Sequence, residues 1–312
     1  MKEMKVSKSM KRSLYPGRVV ASLMAVTLLS APMIVRGGLA EQPLPSAPYC
    51  PEFLPDEALG LGTAARCTIL QLGAAKVSIG GSVGIVEDFL IPGQSHEPGR
   101  SVSGAFGGIF GDVCIGPGGK LSMSGEQFVS GTVKLSPGAK FANSSHGSVR
   151  VLEEVDLSVE IRDACAAALT ATLLDCDQSL ARLDGKTVTT IVGVAGLNVI
   201  CVQDVVLSDK QILLTGEPGA QFIINVTGKF VLTGGGAGPQ IRVDGVNVQP
   251  KDVLYNIIGN GPDVAFSSGA AIVDGTLLAP LRKIALGSAK VNGAIISGKD
   301  IKIHSSGVGC GR

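Results

Sequence analysis

Aromatic residues are scarce in this chain: nine Phe, three Tyr and no Trp among 312 residues. Charged residues make up only 17% and there are three histidines. A core without large rings must be filled by aliphatic side chains, and 45% hydrophobic content supplies them. That much apolar content offsets the entropy of ordering, which excludes a disordered chain. No CxxC pair is present, so zinc-ribbon and thioredoxin-like sites have no support. GxSxG, HExxH and Walker A patterns are also missing. His96, His146 and His304 stand at no metal or triad spacing. Gly234-Gly235-Gly236 follows a strand pattern with no helix signal, a weak case for cradling phosphate. These absences leave no catalytic, cofactor-binding or metal-ligating residue to nominate.

What is abundant is glycine, 43 residues, about twice the usual share. Many tight turns between Val-, Ile- and Leu-rich runs are a β signature. Charge is unevenly spread. Residues 1–40 hold Lys2, Lys5, Lys8, Lys11, Arg12, Arg18 and Arg36 against Glu3 alone. The rest has 20 basic and 25 acidic residues, a balance near −5 that opposes phosphate binding and excludes nucleic acid as a natural partner.

The basic start, the charge-free run Val19–Val35 and the small residues Gly38 and Ala40 are the parts of a secretory signal peptide. The competing reading is an uncleaved membrane anchor, since the run only just reaches spanning length. Either way the remainder leaves the cytosol, and no later segment is long and apolar enough to span a bilayer. Cys50, Cys67, Cys114, Cys165, Cys176, Cys201 and Cys310 suit an oxidising destination, with their pairing open. On one continuous helix Cys165 and Cys176 stand roughly 16 Å apart, too far to bond.

Residues 41–60 form a proline-rich leader. From residue 61 to 312 short alternating runs appear, each closed by Gly, Pro-Gly or Ser-Gly: KVSIGG, DVCIGPGGKLSMSG, TVKLSPGAKF and SVRVLEE. They predict strands of four to six residues. Val264, Ile284 and Ile301 recur at a similar step, as do Ile272, Val291 and Val308, and Gly275 and Gly293. Gly111, Gly131 and Gly147 form a further set. A period of about 18 residues fits one coil of an irregular β-solenoid, or β-helix, with three short strands and three corners. A β-sandwich is the alternative. Residues 157–182 break the pattern: Leu157, Ile161, Ala164, Ala168, Thr172, Cys176 and Leu180 have helical spacing. Asp156 or Ser158 caps that helix, and its apolar stripe belongs against the flank of the solenoid. The fold class is mainly β, with one long α-helix packed along the side.

GVAGLNVI (Gly193–Ile200), FIINVTG (Phe222–Gly228), VLYN (Val253–Asn256), GTLLAP (Gly275–Pro280) and VNGAIISG (Val291–Gly298) occur in an ordered series. With LGTAA (Leu61–Ala65), the series resembles the bacterial choice-of-anchor A domain, a family of surface adhesins, and more distantly the ice-binding-like β-solenoid family. The resemblance covers residues 61–308 and is most specific in GTLLAP followed by VNGAIISG. It implies an extracellular β-solenoid with an adhesive or binding role, its partner an extracellular polymer, a glycan or a cell surface. Such domains carry a C-terminal anchor, and none follows Cys310-Gly311-Arg312, so a freely secreted or coat-associated protein fits equally.

Physical reading makes these motifs structural. Gly275 and Gly293 suit corners, Leu277, Leu278, Ile295 and Ile296 fill the interior, and Asn292 suits an internal amide ladder. Asp244, Asp252, Asp263, Asp274 and Asp300 are spread over the C-terminal coils with Arg282, Lys283 and Lys290. Stacked into a groove they would suit a polysaccharide-active enzyme; as solvated charges they carry nothing. Ice binding needs a flat face of small hydroxyl and methyl groups, whereas Lys134, Lys229, Lys283, Lys299 and Lys302 interrupt the strands and threonine does not recur at the coil period. Asn143-Ser144-Ser145 and Asn225-Val226-Thr227 are glycosylation sequons, relevant only in a eukaryotic secretory route. A non-catalytic adhesive module is the leading expectation.

Overall fold

The computed structural model describes residues 60–81, 107–145, 149–235 and 238–309. The signal segment 1–40, nearly all of the leader 41–60, His96, His146, Gly147, Gly236, Cys50 and Cys310 lie outside the described residues. Backbone contacts separate Met1–Gln42 from Pro43–Arg312, and only the second unit is described below.

A short 3-10 helix, Gly62–Arg66, opens the fold. The first coil contains β1 (Cys67–Gln71), β2 (Lys76–Gly80) and β3 (Gly108–Ile109). Next come β4 (Asp112–Ile115), β5 (Lys120–Gly125), β6 (Thr132–Leu135), β7 (Lys140–Ser145) and β8 (Arg150–Leu152). Helix α1 (Ser158–Leu173) interrupts the strands. Beyond it lie β9 (Gln178–Leu183), β10 (Thr190–Gly193), the long β11 (Gly196–Ser208), β12 (Gln211–Gly216) and β13 (Ala220–Val226). Then follow β14 (Phe230–Thr233), β15 (Gln240–Val243), β16 (Val253–Ile257), β17 (Val264–Phe266) and β18 (Ala271–Asp274). The chain finishes with β19 (Thr276–Ala279), β20 (Ile284–Gly287), β21 (Ala289–Asn292), β22 (Ile295–Ser297), β23 (Ile301–His304) and β24 (Gly307–Val308).

Strands pair in parallel throughout, in a 17-stranded and a 7-stranded sheet, which makes the fold a β-solenoid and removes the sandwich. The coil steps are visible in register: Val264 pairs with Ile284 and Ile284 with Ile301. The second series is shifted by one residue. Val273, not Ile272, aligns with Val291 and then Val308, while Ile272 pairs with Lys290 and faces outward, half-buried. A one-residue slip exchanges the faces of a strand, so only the Val273 register keeps the interior aliphatic. Gly275 and Gly293 do share a corner: a Cβ on Gly293 would lie 2.2 Å from the Gly275 carbonyl oxygen.

The order in space departs from the order in sequence at one place. β1 pairs with β4 on one side and with β22 on the other, while β2 pairs with β5 and β23. The first coil therefore sits directly on the last, in the middle of the stack. The chain builds outward to β8, crosses to β9 at the far end, and returns. Crossing the stack requires a rigid element, and α1 supplies it. Its 16 residues span about 24 Å, roughly five sheet spacings.

The helix is shorter than the 157–182 expected from its spacing. Leu174 is already extended, and Cys176 is bonded to Cys201 of β11. The Asp177 amide donates to the Val199 carbonyl, and the Val199 amide to the Asp177 carboxylate. Gln178–Leu183 then joins the sheet as β9, so sheet pairing overrides the helical spacing of Cys176 and Leu180. At the start, Asp156 accepts the Ser158 amide at 2.9 Å. Ala64, Leu70, Cys114, Leu278 and Ile296 pack against Leu157, Ile161, Ala164 and Ala167 on the buried side of α1. A second disulfide, Cys67–Cys114, ties the first coil to its neighbour, and Cys165 of α1 is also disulfide-bonded.

Candidate binding face

Three strand columns enclose the aliphatic interior, and their outer surfaces differ. The first column contains β1, β4, β13, β16, β19 and β22. Helix α1 lies on it, so β19 and β22 are buried on both sides. Amides complete this contact. Asn256 Nδ2 donates to Asn225 Oδ1 at 2.8 Å and to the Ala168 carbonyl at 3.2 Å, while Asn225 Nδ2 donates to the Ala171 carbonyl at 2.6 Å. The internal amide ladder is thus Asn225–Asn256. Asn292 instead donates to Asp274 at 2.5 Å. Asn225 is buried, so of the two sequons only Asn143 is exposed.

The 7-stranded sheet forms the second column. Its outer surface is uneven: Asp274 receives Arg242 Nε at 2.9 Å and the Val243 amide at 3.0 Å, and Phe110 meets Phe128 edge to face. Val192 projects from β10, 74% exposed.

The third column comprises β7, β5, β2, β23, β20, β17, β14 and the second half of β11. Side chains alternate in and out, so every second residue lines one outer surface. Three rows result. The central row runs Val206, Val231, Ala265, Ala285, Lys302, Ser78, Ser122, Ala142. Beside it a row of short or hydroxyl-bearing residues includes Ser208, Thr233, Ser267, Gly287, His304, Gly80, Ser124 and Ser144. Most of these side chains are short, so the surface is flat.

The third row is charged and lies just before each inward-facing strand residue. Arg182 pairs with Asp204; Lys229, Asp263, Lys283 and Asp300 occupy the next four levels. Their signs alternate. The alternation continues to Lys76 and then stops: Lys76, Lys120 and Lys140 stand on three successive strands, all exposed. Two carboxylates of the row also hold the backbone, Asp204 accepting the Lys229 amide at 2.7 Å and Asp300 the Lys76 amide at 3.1 Å.

The acids considered for a groove do not converge. Asp244 caps its own turn, accepting the Val246, Asn247 and Val248 amides and the Thr215 hydroxyl. Asp252 accepts the Gln249 amide, Asp274 is the buried partner of Arg242, and Asp263 and Asp300 belong to the charged row. Arg282 is buried, its guanidinium donating to the carbonyls of Thr227, Gly228, Ile258 and Gly259 at two neighbouring corners. Lys283 lies in the charged row and Lys290 on the second column. Lys134 is on the helix-bearing column, 2.7 Å from Asp112. Partial burial raises the Asp112 pKa, but the Lys134 ammonium and the Thr132 amide outweigh it and hold the carboxyl below its usual value. Lys299 sits half-buried before β23, leaving Lys229, Lys283 and Lys302 as the lysines anticipated at strands that do lie on the third column.

The recurring serines and the lysine row escaped the sequence reading. The visible signal is three strands that begin alike, KVSIG, KLSMS and KFANS. Among the described residues no three His, Cys, Asp or Glu side chains gather as a metal site, and no helix is long and apolar enough to cross a membrane.

Fold and surface define a helix-braced, all-parallel β-solenoid that presents one flat sheet face. Residues 74–306, well over half of the chain, match the family described as "Putative Ice-binding-like adhesive domain", and the chain belongs to that family. A search of curated proteins finds no match. Solved structures similar to it include an ice-binding protein from the Antarctic ascomycete Antarctomyces psychrotrophicus, 15% identical with a TM-score of 0.47, over 82% of this chain and 100% of that one. A glycosylated ice-binding protein from an Arctic yeast is 15% identical with a TM-score of 0.44, over 82% and 96%. An ice-binding protein of Shewanella frigidimarina is 15% identical with a TM-score of 0.44, over 82% and 98%.

Proposed function

We propose that the protein is exported and acts without catalysis, as an adhesive or structural module that holds an extracellular polymer, glycan or cell surface. The observation that carries this reading is the flat eight-strand face running from Val206 to Ala142. An extended partner gains from a rigid, repeating surface, because one registered contact repeats at each coil. The family's adhesive description supports this role, and the resemblance to choice-of-anchor A domains supports a place at a cell surface. Residues 1–40 act as a cleaved signal peptide, so N-terminal sequencing of the secreted protein should begin at Glu41. The decisive assay is a glycan and matrix array probed with purified protein. An A265R/A285R variant, which roughens the face, should lose the signal while keeping its unfolding midpoint. No binding above controls by the unaltered protein would refute the reading.

Ice binding is the second reading, favoured by the row Ser208, Thr233 and Ser267 beside the aliphatic Val206, Val231 and Ala265. The adjacent charged row weighs against it. A thermal-hysteresis assay separates the two.

A further inference from the structure

On the proposed binding face, and resting on that reading, one end differs in charge from the other. The half made of β11, β14, β17 and β20 carries charges that alternate from strand to strand. Among the described residues of the three rows, the half made of β23, β2, β5 and β7 carries Lys302, Lys76, Lys120 and Lys140 against Asp300. Cross-strand neighbours of like charge are destabilising, and three exposed lysines at successive spacings of about 4.8 Å form a like-charge stack, flanked by Asp300 at its Lys76 end. The sequence beyond residue 40 is otherwise net acidic, so this stack is a local exception to the overall charge. Its neighbours on the same surface are Ser78, Ser122, Ser124 and Ser144, short hydroxyl groups that both donate and accept hydrogen bonds.

We propose that this half of the face binds a linear anionic polysaccharide laid along the solenoid axis. Its carboxylates or sulfates meet the Lys76–Lys120–Lys140 row, and its hydroxyl groups meet the serine rows. The flat surface admits a chain of sugar rings, and stacked charges match a polymer that repeats its anions. A nucleic acid fits less well: Phe141, the aromatic residue on β7, packs toward the core, and among the described residues the single imidazole of His304 is the one ring on the three rows, too few for successive bases to stack on.

The test uses the full secreted protein in titrations against polygalacturonate, heparin, neutral dextran and single-stranded DNA, at low and high salt. Binding to at least one of the two anionic polysaccharides, weakened by salt, is expected. The variant K76Q/K120Q/K140Q should lose roughly tenfold or more in affinity, while K186Q/K251Q, at exposed lysines outside the three rows, changes it less than about twofold. Thermal unfolding of the triple variant should occur at an equal or higher temperature, because repulsion is removed; a clearly lower one would make the lysines structural and overturn the proposal. Equal losses in both variants, or DNA bound as tightly as the polysaccharides and lost in parallel, would also overturn it. Binding to neutral polymers alone would overturn it while leaving the adhesive reading intact. Silence towards every polymer on the array would sink both.

Discussion

Ile69, in the first coil of the solenoid, lies in register on Ile295 of the last. Both are fully buried, so the two ends of the folded chain close a shared aliphatic layer. In a stack built in sequence order, the last coil would be a frayed terminus. Here it is interior, covered on both sides. Ile69→Ala and Ile295→Ala should therefore each lower stability by about 2–5 kcal/mol, as in any packed core. The double variant should cost less than the two together, because both remove atoms from one layer. Denaturant midpoints of the three proteins test this; full additivity would place the residues in separate layers.

The brace on the first column should respond to its amides. Asn256→Ala leaves Asn225 Oδ1 without its donor, a cost of about 1–3 kcal/mol, while the Ala168 carbonyl keeps the Thr172 hydroxyl at 2.7 Å. Its sharper signature is local. Amides on the C-terminal half of α1 should exchange faster in the variant, while those of β20 and β23 on another column stay protected. Uniform acceleration across all strands would show that the pair supports the whole solenoid instead of the helix.

The lesson for sequence reading lies in which signals are local. Alternating runs such as TVKL and KVSIG, closed by Gly or Pro-Gly, are set within a few residues, and they became β6 and β2. The Val264, Ile284 and Ile301 step was legible because consecutive coils there have similar lengths. The seam between Ile69 and Ile295 was not, since nothing local reports that the first coil will meet the last. The helix end also depends on a distant partner: Cys176 and Leu180 continue the helical spacing, but pairing with β11 claims them. Most of the flat face was hidden for the same reason. Lys76 and Lys120 become neighbours only after the long 82–106 segment is set aside, and Ser208 meets Thr233 only after a full coil of chain.

Arg282 offers a test of how the corners hold. Its buried fork serves four carbonyls belonging to two successive turns, at Thr227–Gly228 and Ile258–Gly259. Burial lowers the guanidinium pKa, yet five donors in one plane let it satisfy several acceptors at once. Arg282→Leu should cost about 3 kcal/mol or more, through carbonyls left unpaired. Arg282→Lys should recover only part of that, because three donors on a point charge cannot span both turns. Equal stability of Lys and Arg at this position would show that charge, not the planar fork, does the work.

Acid sensitivity should have an identifiable source in the Asp244 turn. The Thr215 hydroxyl at 2.6 Å is the largest influence, and the amides of Val248, Val246 and Asn247 add to it. Together they pull the Asp244 carboxyl from 3.8 to about 2. These donors favour the ionised form, so the folded state holds its proton less tightly than the unfolded chain does. The stabilisation is complete above pH 3.8 and fades as the pH falls through about 2. Carboxyl-carbon NMR titration should place the Asp244 midpoint near 2. In Thr215→Val the midpoint should rise toward 3.8, and the turn should lose its protection at a higher pH than in the unaltered protein. A midpoint unchanged by that substitution would assign the shift to the backbone amides alone.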